Sequence, residues 1–293
     1  MKKSLLFGSE GCRVVVLVDN REHPQYDLAV EHGLSIYIEK GDKRYLLDVG
    51  ASDAFYLNAQ KLGIDIAEID GLFISHGHKD HMGGLPTFIK HNSKAKIYLA
   101  AALKGSEFFS YRKGSRSNIS LNHPFSPEEL SRFVYLEPGV ESFDGIEVYT
   151  QFANRFEQPL ANQSLYRSEN GGEEVLDTFK HELALKMKLK QGVLILSACT
   201  HNGLLNSLDS MVKPEEQPKV IATIGGTHLL DETEHCKTES SKEIRAIARL
   251  LNEFYPNMRL ITGHCTGQGA IESLHEMMGG QFEVFYSGWS AHY

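Results

Sequence analysis

Residues 75–84, SHGHKDHMGG, place three imidazoles and one carboxylate within six positions. They follow the apolar run IDGLFIS, which reads as a buried strand. A strand end is rigid, so the loop after it can aim several donors at one point. Imidazole nitrogen and carboxylate oxygen are donors that zinc, iron and manganese accept. His76 and His78 lie two apart and can point the same way, while Asp80 and His81 lie beyond and can face a second ion. A solvated histidine-rich loop is the plain alternative, but it does not account for four donors packed between a buried strand and a Gly83-Gly84 helix start.

Other candidates are scattered. His228 in GGTHLL either completes a site, donates a proton to a leaving group, or serves only a Gly-Gly turn; the flanking glycines permit close approach by a ligand. Cys265 to Gly269 opens a helix whose free N–H groups could hold an anion. Arg112, Lys113 and Arg116 sit among Phe108, Phe109, Tyr111 and Phe125, a mixture that suits a small anionic substrate with a flat ring, against the alternative of a solvated charge run.

Several elements must position these residues. RVVVLV, LSIYIEK and KRYLLDVG read as short strands; Leu34, Ile36 and Ile38 alternate with Ser35, Tyr37 and Glu39. A helix follows Asp53, another starts near Pro86, and AKIYLA is a strand. From about 103 to 170 the pattern loosens, and this stretch reads as a lid-like insert in one domain covering 1–293. HELALKMKLKQGVLILSACTHNG reads as a strand pair. KVIATIGG, SSKEIRAIARLLNEF, MRLITGH, GQGAIESLHEMM and FEVFYS then alternate strand and helix, with Ile244, Ile247, Leu250, Leu251 and Phe254 on one helix face.

Composition bounds the function classes. The chain has 293 residues, 41% hydrophobic and 23% charged, enough for a core that needs no staples. Cys12, Cys199, Cys236 and Cys265 form no CxxC pair, which fits a reducing compartment rather than a disulfide framework. Ser4, Gly8, Ser9, Glu10 and Arg13 break the apolar stretch that a secretory signal needs, and no run approaches the roughly 20 apolar residues of a membrane span. A cytoplasmic protein is expected. The net charge of −8 argues against nucleic acid as a partner; the oligomeric state is left open.

SHGHKDH resembles the HxHxDH signature of the metallo-β-lactamase superfamily, and LLDVG with Asp48 resembles that family's upstream aspartate motif. The resemblance implies an α/β chain built as a four-layer αβ/βα sandwich, with two divalent transition metal ions at one edge. Zinc is the first expectation, iron or manganese the alternatives. Asp48 is implied to support the metal loop without binding metal. His76, His78, Asp80 and His81 are the implied ligands, joined by His264 in TGHCTG and by His201 in SACTHNG. His181 and Cys199 are alternative ligands under the superfamily's usual order.

More narrowly, SHGHKDHMGGL, SACTHNG, IGGTHLL and GHCTG resemble the branch of metal-dependent hydrolases of superfamily II and dihydropteroate-synthase-like proteins of the methanopterin pathway. Ala198 and Thr227 depart from that branch's Gly and Phe. The expected reaction is attack by a metal-bound hydroxide on a phosphoester or related anionic small molecule, with Asp80 and His228 catalytic. Joining a pterin pyrophosphate to an aminobenzoate is the alternative, and a non-catalytic small-molecule sensor is a second.

Overall fold

The computed structural model describes residues 11–212 and 219–293; the opening residues 1–10, on which much of the reading of the chain's start rests, lie outside them. In Cys12–Val18 successive residues face opposite ways. Val14 and Val16 enter one buried cluster, and Val15 and Leu17 another. Gly192–Leu196 divides in the same manner, with Leu194 and Leu196 inward and Val193 and Ile195 outward. Strands apolar on both faces must be covered on both faces.

The first sheet runs Ser290–His292, Cys12–Val18, Ser35–Lys40, Lys43–Leu47, Gly71–Phe73, Lys96–Ala100, Phe133–Leu136. The second runs Phe282–Val284, Arg259–Thr262, Val220–Ile224, Gly192–Leu196, Ala184–Leu189, Ile146–Tyr149, Val140–Phe143. Each is parallel through one half and antiparallel through the other. A shared apolar layer packs them face to face, from Ile36, Ile38 and Leu47 across to Leu185, Leu194 and Ile224. Helices Ala54–Lys61 and Leu85–His91 cover the first sheet, with Phe55 and Phe88 fully buried. Helices Leu204–Met211, Ser241–Phe254 and Gln268–Met278 cover the second. Burying a side chain of this size contributes about 1.5–3 kcal/mol, so these three layers supply the main drive to fold. The result is the four-layer αβ/βα sandwich. Among the described residues no helix is long and apolar enough to cross a membrane.

Three expectations change. The stretch 103–170 is not one excursion: Phe133–Leu136 closes the first sheet, and Val140–Phe143 and Ile146–Tyr149 close the second. Only its two ends leave the sandwich, as a small third sheet in the order Val175–Leu176, Leu165–Glu169, Ser106–Ser110, Ser117–Asn118. Phe254 is 44% exposed rather than packed beneath its helix. The chain also ends on an unforeseen strand, Ser290–His292, which returns from the second sheet to pair with Cys12–Val18 in the first.

Candidate metal centre

The histidine loop leaves Gly71–Phe73 at the rim of the first sheet, and His76, His78 and His81 are buried. Asp48, at the end of Lys43–Leu47 on the neighbouring strand, organises it. Its Oδ1 accepts from the Ser75 N–H at 2.6 Å, and its Oδ2 accepts from Ser75 Oγ at 2.6 Å and His81 Nδ1 at 2.7 Å. Because Ser75 Oγ spends its proton on Asp48, it accepts from His76 Nδ1 at 2.8 Å. One carboxylate thus fixes two rings. Gly77 is required: a Cβ there would lie 2.1 Å from the Phe108 ring.

The later histidines arrive from the second sheet's strand ends. Asn162 Nδ2 donates to the His201 carbonyl at 2.7 Å, so its Oδ1, 3.1 Å from Nδ1, accepts that ring's proton. Asn20 treats His264 alike, donating to the carbonyl at 3.3 Å and accepting from Nδ1 at 3.1 Å. Asp19 Oδ1 accepts from the His264 N–H at 2.8 Å, and Glu182 Oε1 from the His201 N–H at 2.7 Å. Five non-glycine residues around this centre (Asp48, Phe179, Thr200, His228 and His264) have φ between 49° and 62°. Strained backbone of this kind concentrates where the fold must aim side chains.

These clamps decide where the lone pairs point. The Nδ1 protons of His76 and His201 are both spent, so bare Nε2 atoms face each other at 3.3 Å. His78 Nδ1 lies 3.1 Å from His76 Nε2, and His78 Nε2 is buried without a partner. Burial, together with the mutual repulsion of neighbouring imidazolium charges, holds His76, His78 and His201 well below the usual histidine pKa, so the rings are neutral. Neutral rings with lone pairs converging in a buried space repel one another unless a cation stands between them. Tetrahedral donors at 2.0–2.1 Å from a metal lie about 3.3 Å apart, as these do.

A second set adjoins the first. His81 Nε2 and His264 Nε2 are 3.0 Å apart, and Asp80 Oδ2 lies 3.5 and 3.4 Å from them. Burial opposes charge on His81, yet Asp80 and Asp48 outweigh it and hold its pKa up at about 10. Cys199 Sγ is 3.2 Å from His81 Nε2. His32, which the sequence did not single out, reaches Asp80 Oδ2 at 3.4 Å from the exposed side and stacks on His264 at 5.3 Å.

His181 is nearby but committed. The Gly77 N–H donates to its Nδ1 at 3.2 Å, and its Nε2 meets Asp177 Oδ2 at 2.9 Å, which leaves no lone pair for a metal. His228 stands against His201, with ring centroids 4.0 Å apart. Arg112 Nη2 donates to His228 Nε2 at 2.6 Å, while His228 Nδ1 is buried without a partner. Arg112 therefore reaches the centre; Arg116 does not, being paired with Glu174 at 2.6 Å and laid over the Phe109 ring. Lys113 is exposed. The helix start at Gln268 is already capped, since its N–H and that of Gly269 donate to the Asp231 carboxylate at 2.8 and 2.9 Å. Asn20, Asn162 and Glu182 were missed. Only Asn20 left a trace, as part of the Asp19-Asn20 pair ending the apolar run RVVVLV.

The family model of the metallo-beta-lactamase superfamily matches residues 28–149, which include the histidine loop. A Methanocaldococcus jannaschii protein, 7,8-dihydropterin-6-methyl-4-(beta-D-ribofuranosyl)-aminobenzene-5'-phosphate synthase, is 28% identical over 272 residues, 88% of each chain. The crystal structure of Tm1679, a metal-dependent hydrolase of the beta-lactamase superfamily, superposes with a TM-score of 0.78 at 25% identity, over 96% of this chain and 98% of that one. Zinc-bound PqqB from Methylobacterium extorquens shares the fold alone, with a TM-score of 0.54 at 12% identity over 95% and 99% of the two chains. By these likenesses the chain is similar to proteins of the metallo-β-lactamase superfamily, whose family model takes in the histidine loop between residues 28 and 149.

Proposed function

We propose that the protein is a two-metal hydrolase of small phosphoesters or related anionic molecules. His76, His78 and His201 hold one cation, and Asp80, His81 and His264 the other. The observation that carries this reading is the pair of Nε2 atoms of His76 and His201 facing each other at 3.3 Å while both Nδ1 atoms are already hydrogen-bonded, a pair that a cation between them would reconcile. Bound metal, zinc first, would polarise the phosphoryl group and lower the pKa of water from about 15.7 to about 7.

The chain's own groups supply the rest. Arg112 occupies the Nε2 of His228, so the ring proton sits on Nδ1, which is buried beside the Cys265 thiol and would donate to a leaving oxygen. Arg112 adds a fixed positive charge for the substrate anion. Asp80 orients the attacking water through the oxygen that faces His81 and His264. The third sheet, tied to the metal loop by the Lys79 N–H to Ile119 carbonyl bond at 2.7 Å, is the part of the expected lid that covers the substrate.

A second reading is formation of a carbon–nitrogen bond between a pterin pyrophosphate and an aminobenzoate; the dihydropterin-aminobenzene phosphate synthase of Methanocaldococcus jannaschii supports it as a relative. Metal analysis should find about two equivalents per chain, and replacing His76 and His78 with Ala should remove one of them together with activity. A double variant with full metal content would refute the ligand set. Chelator-sensitive turnover of simple phosphoesters supports hydrolysis. Turnover only with both pterin and aminobenzoate partners supports the synthase, and tight binding with no product a sensor.

A further inference from the structure

The start of helix Leu204–Met211, one side of helix Ser241–Phe254 and the segment 156–160 enclose a cavity of about 470 Å³. Its walls are mostly apolar, built from Phe156, Leu160, Leu204, Leu229, Ile247 and Leu250. Two carboxylates stand among them, Glu239 and Glu243, and no lysine, arginine or histidine of the described residues does. Glu243 is committed to the capping box with Ser240. Glu239 Oε1 accepts from the Leu160 N–H at 2.7 Å, but its Oε2 is shielded from solvent and has no partner. Burial pushes the Glu239 carboxyl above its usual range. A buried carboxylate oxygen without a donor is costly, so a ligand that brings one is favoured. Gly203 and Thr227 line the cavity too, in the turns that carry His201 and His228. The cavity thus adjoins the metal centre through backbone and shares none of its proposed ligands.

We infer that this cavity is a second small-molecule site, which takes an organic ammonium with its apolar body against the leucines and its nitrogen on Glu239. The volume lies within the roughly 300–1,000 Å³ of ligand sites that combine apolar walls with a few polar groups. An ammonium carries several N–H groups, so one can bond Oε2 while Oε1 keeps the Leu160 N–H. An anion is disfavoured here, because Glu239 and Glu243 repel it. Charge therefore sorts ligands between the two places: Arg112 draws anions to the metal centre, and the two carboxylates draw cations to this cavity. The inference stands apart from the two-cation reading.

Phenethylamine tests this in the full chain, beside phenethyl alcohol and phenylpropionate, which keep the ring and change the head group. Calorimetric titration should show the amine binding about tenfold or more tighter than the alcohol, the scale of a charged hydrogen bond, with phenylpropionate weakest. Glu239→Gln keeps an acceptor for the Leu160 N–H and should remove that preference while the alcohol binds as before. Methyl NMR shifts caused by the amine should fall on Ile247 and Leu250, in metal-free and zinc-loaded protein alike. Ala246→Phe, which fills the cavity, should abolish binding of amine and alcohol together. Should either variant fail to fold, the head-group series and the methyl shifts of the wild type still decide. Equal affinity for amine and alcohol, a preference that survives Glu239→Gln, shifts confined to the metal rim, or no binding at all would each overturn the inference.

Discussion

The loop ligands and the late ligands are held in two different ways. His76 and His81 share one carboxylate, Asp48, reached within 33 positions of chain. His201 and His264 each have a private asparagine, Asn162 at a separation of 39 and Asn20 at 244. The loop is thus a single hydrogen-bonded unit spanning both proposed cation positions, whereas each late histidine belongs to one. Damage to the shared support should spread, and damage to a private one should stay local.

Asp48→Asn gives the largest effect. It should weaken both cations, each by about 10- to 100-fold in affinity, read by calorimetric titration of zinc into the metal-free protein. Loss at one position only would break the comparison. Next come the asparagines: Asn162→Ala should weaken only the first cation and Asn20→Ala only the second, again by about 10- to 100-fold. If either variant weakened both equally, the late supports would not be private after all.

Smaller effects sharpen the boundary of the centre. Arg112→Ala should raise KM for an anionic substrate by about tenfold or more, the scale of a charged hydrogen bond, with metal content intact. Arg116→Ala, an exposed pair with Glu174, should leave KM within about twofold. Equal losses in the two would mean that the small sheet acts only as scaffold. His181→Gln should leave metal stoichiometry unchanged and cost about 1–3 kcal/mol of stability, because Asp177 stays buried without its partner. A lost equivalent of metal there would return His181 to the ligand set.

These contrasts also explain what was legible in the sequence. SHGHKDH is readable because its donors are contiguous and its support is a neighbouring strand end. Val14 to Leu17 show apolar residues on both faces, and the helix at Ser241–Phe254 carries its capping box in Ser240 and Glu243. The choice between His181 and His201 was not readable. Each ring has a proton acceptor, Asp177 for His181 and Asn162 for His201, but the Gly77 N–H occupies the second nitrogen of His181 alone, and spacing along the chain carries no such information. Val140–Phe143 and Ile146–Tyr149 were absorbed into an insert because four-residue strands between Pro, Gly and Asp turns show little alternation. Asp231 at the Gln268 helix start lies 37 positions upstream, so a free anion site and a filled one look alike in sequence.

The bond from the His264 N–H to Asp19, across 245 positions, sets an order of assembly. While the chain is being synthesised, His76, His78 and His201 can meet once residue 201 has emerged. The other position must wait until His264 reaches back to Asp19 and Asn20, and the first sheet gains its outer strand only with Ser290–His292. Capture of the two proposed cations would then be staged by translation. A nascent chain stalled with Val220–Ile224 already clear of the ribosome should retain one zinc, and only the released protein two.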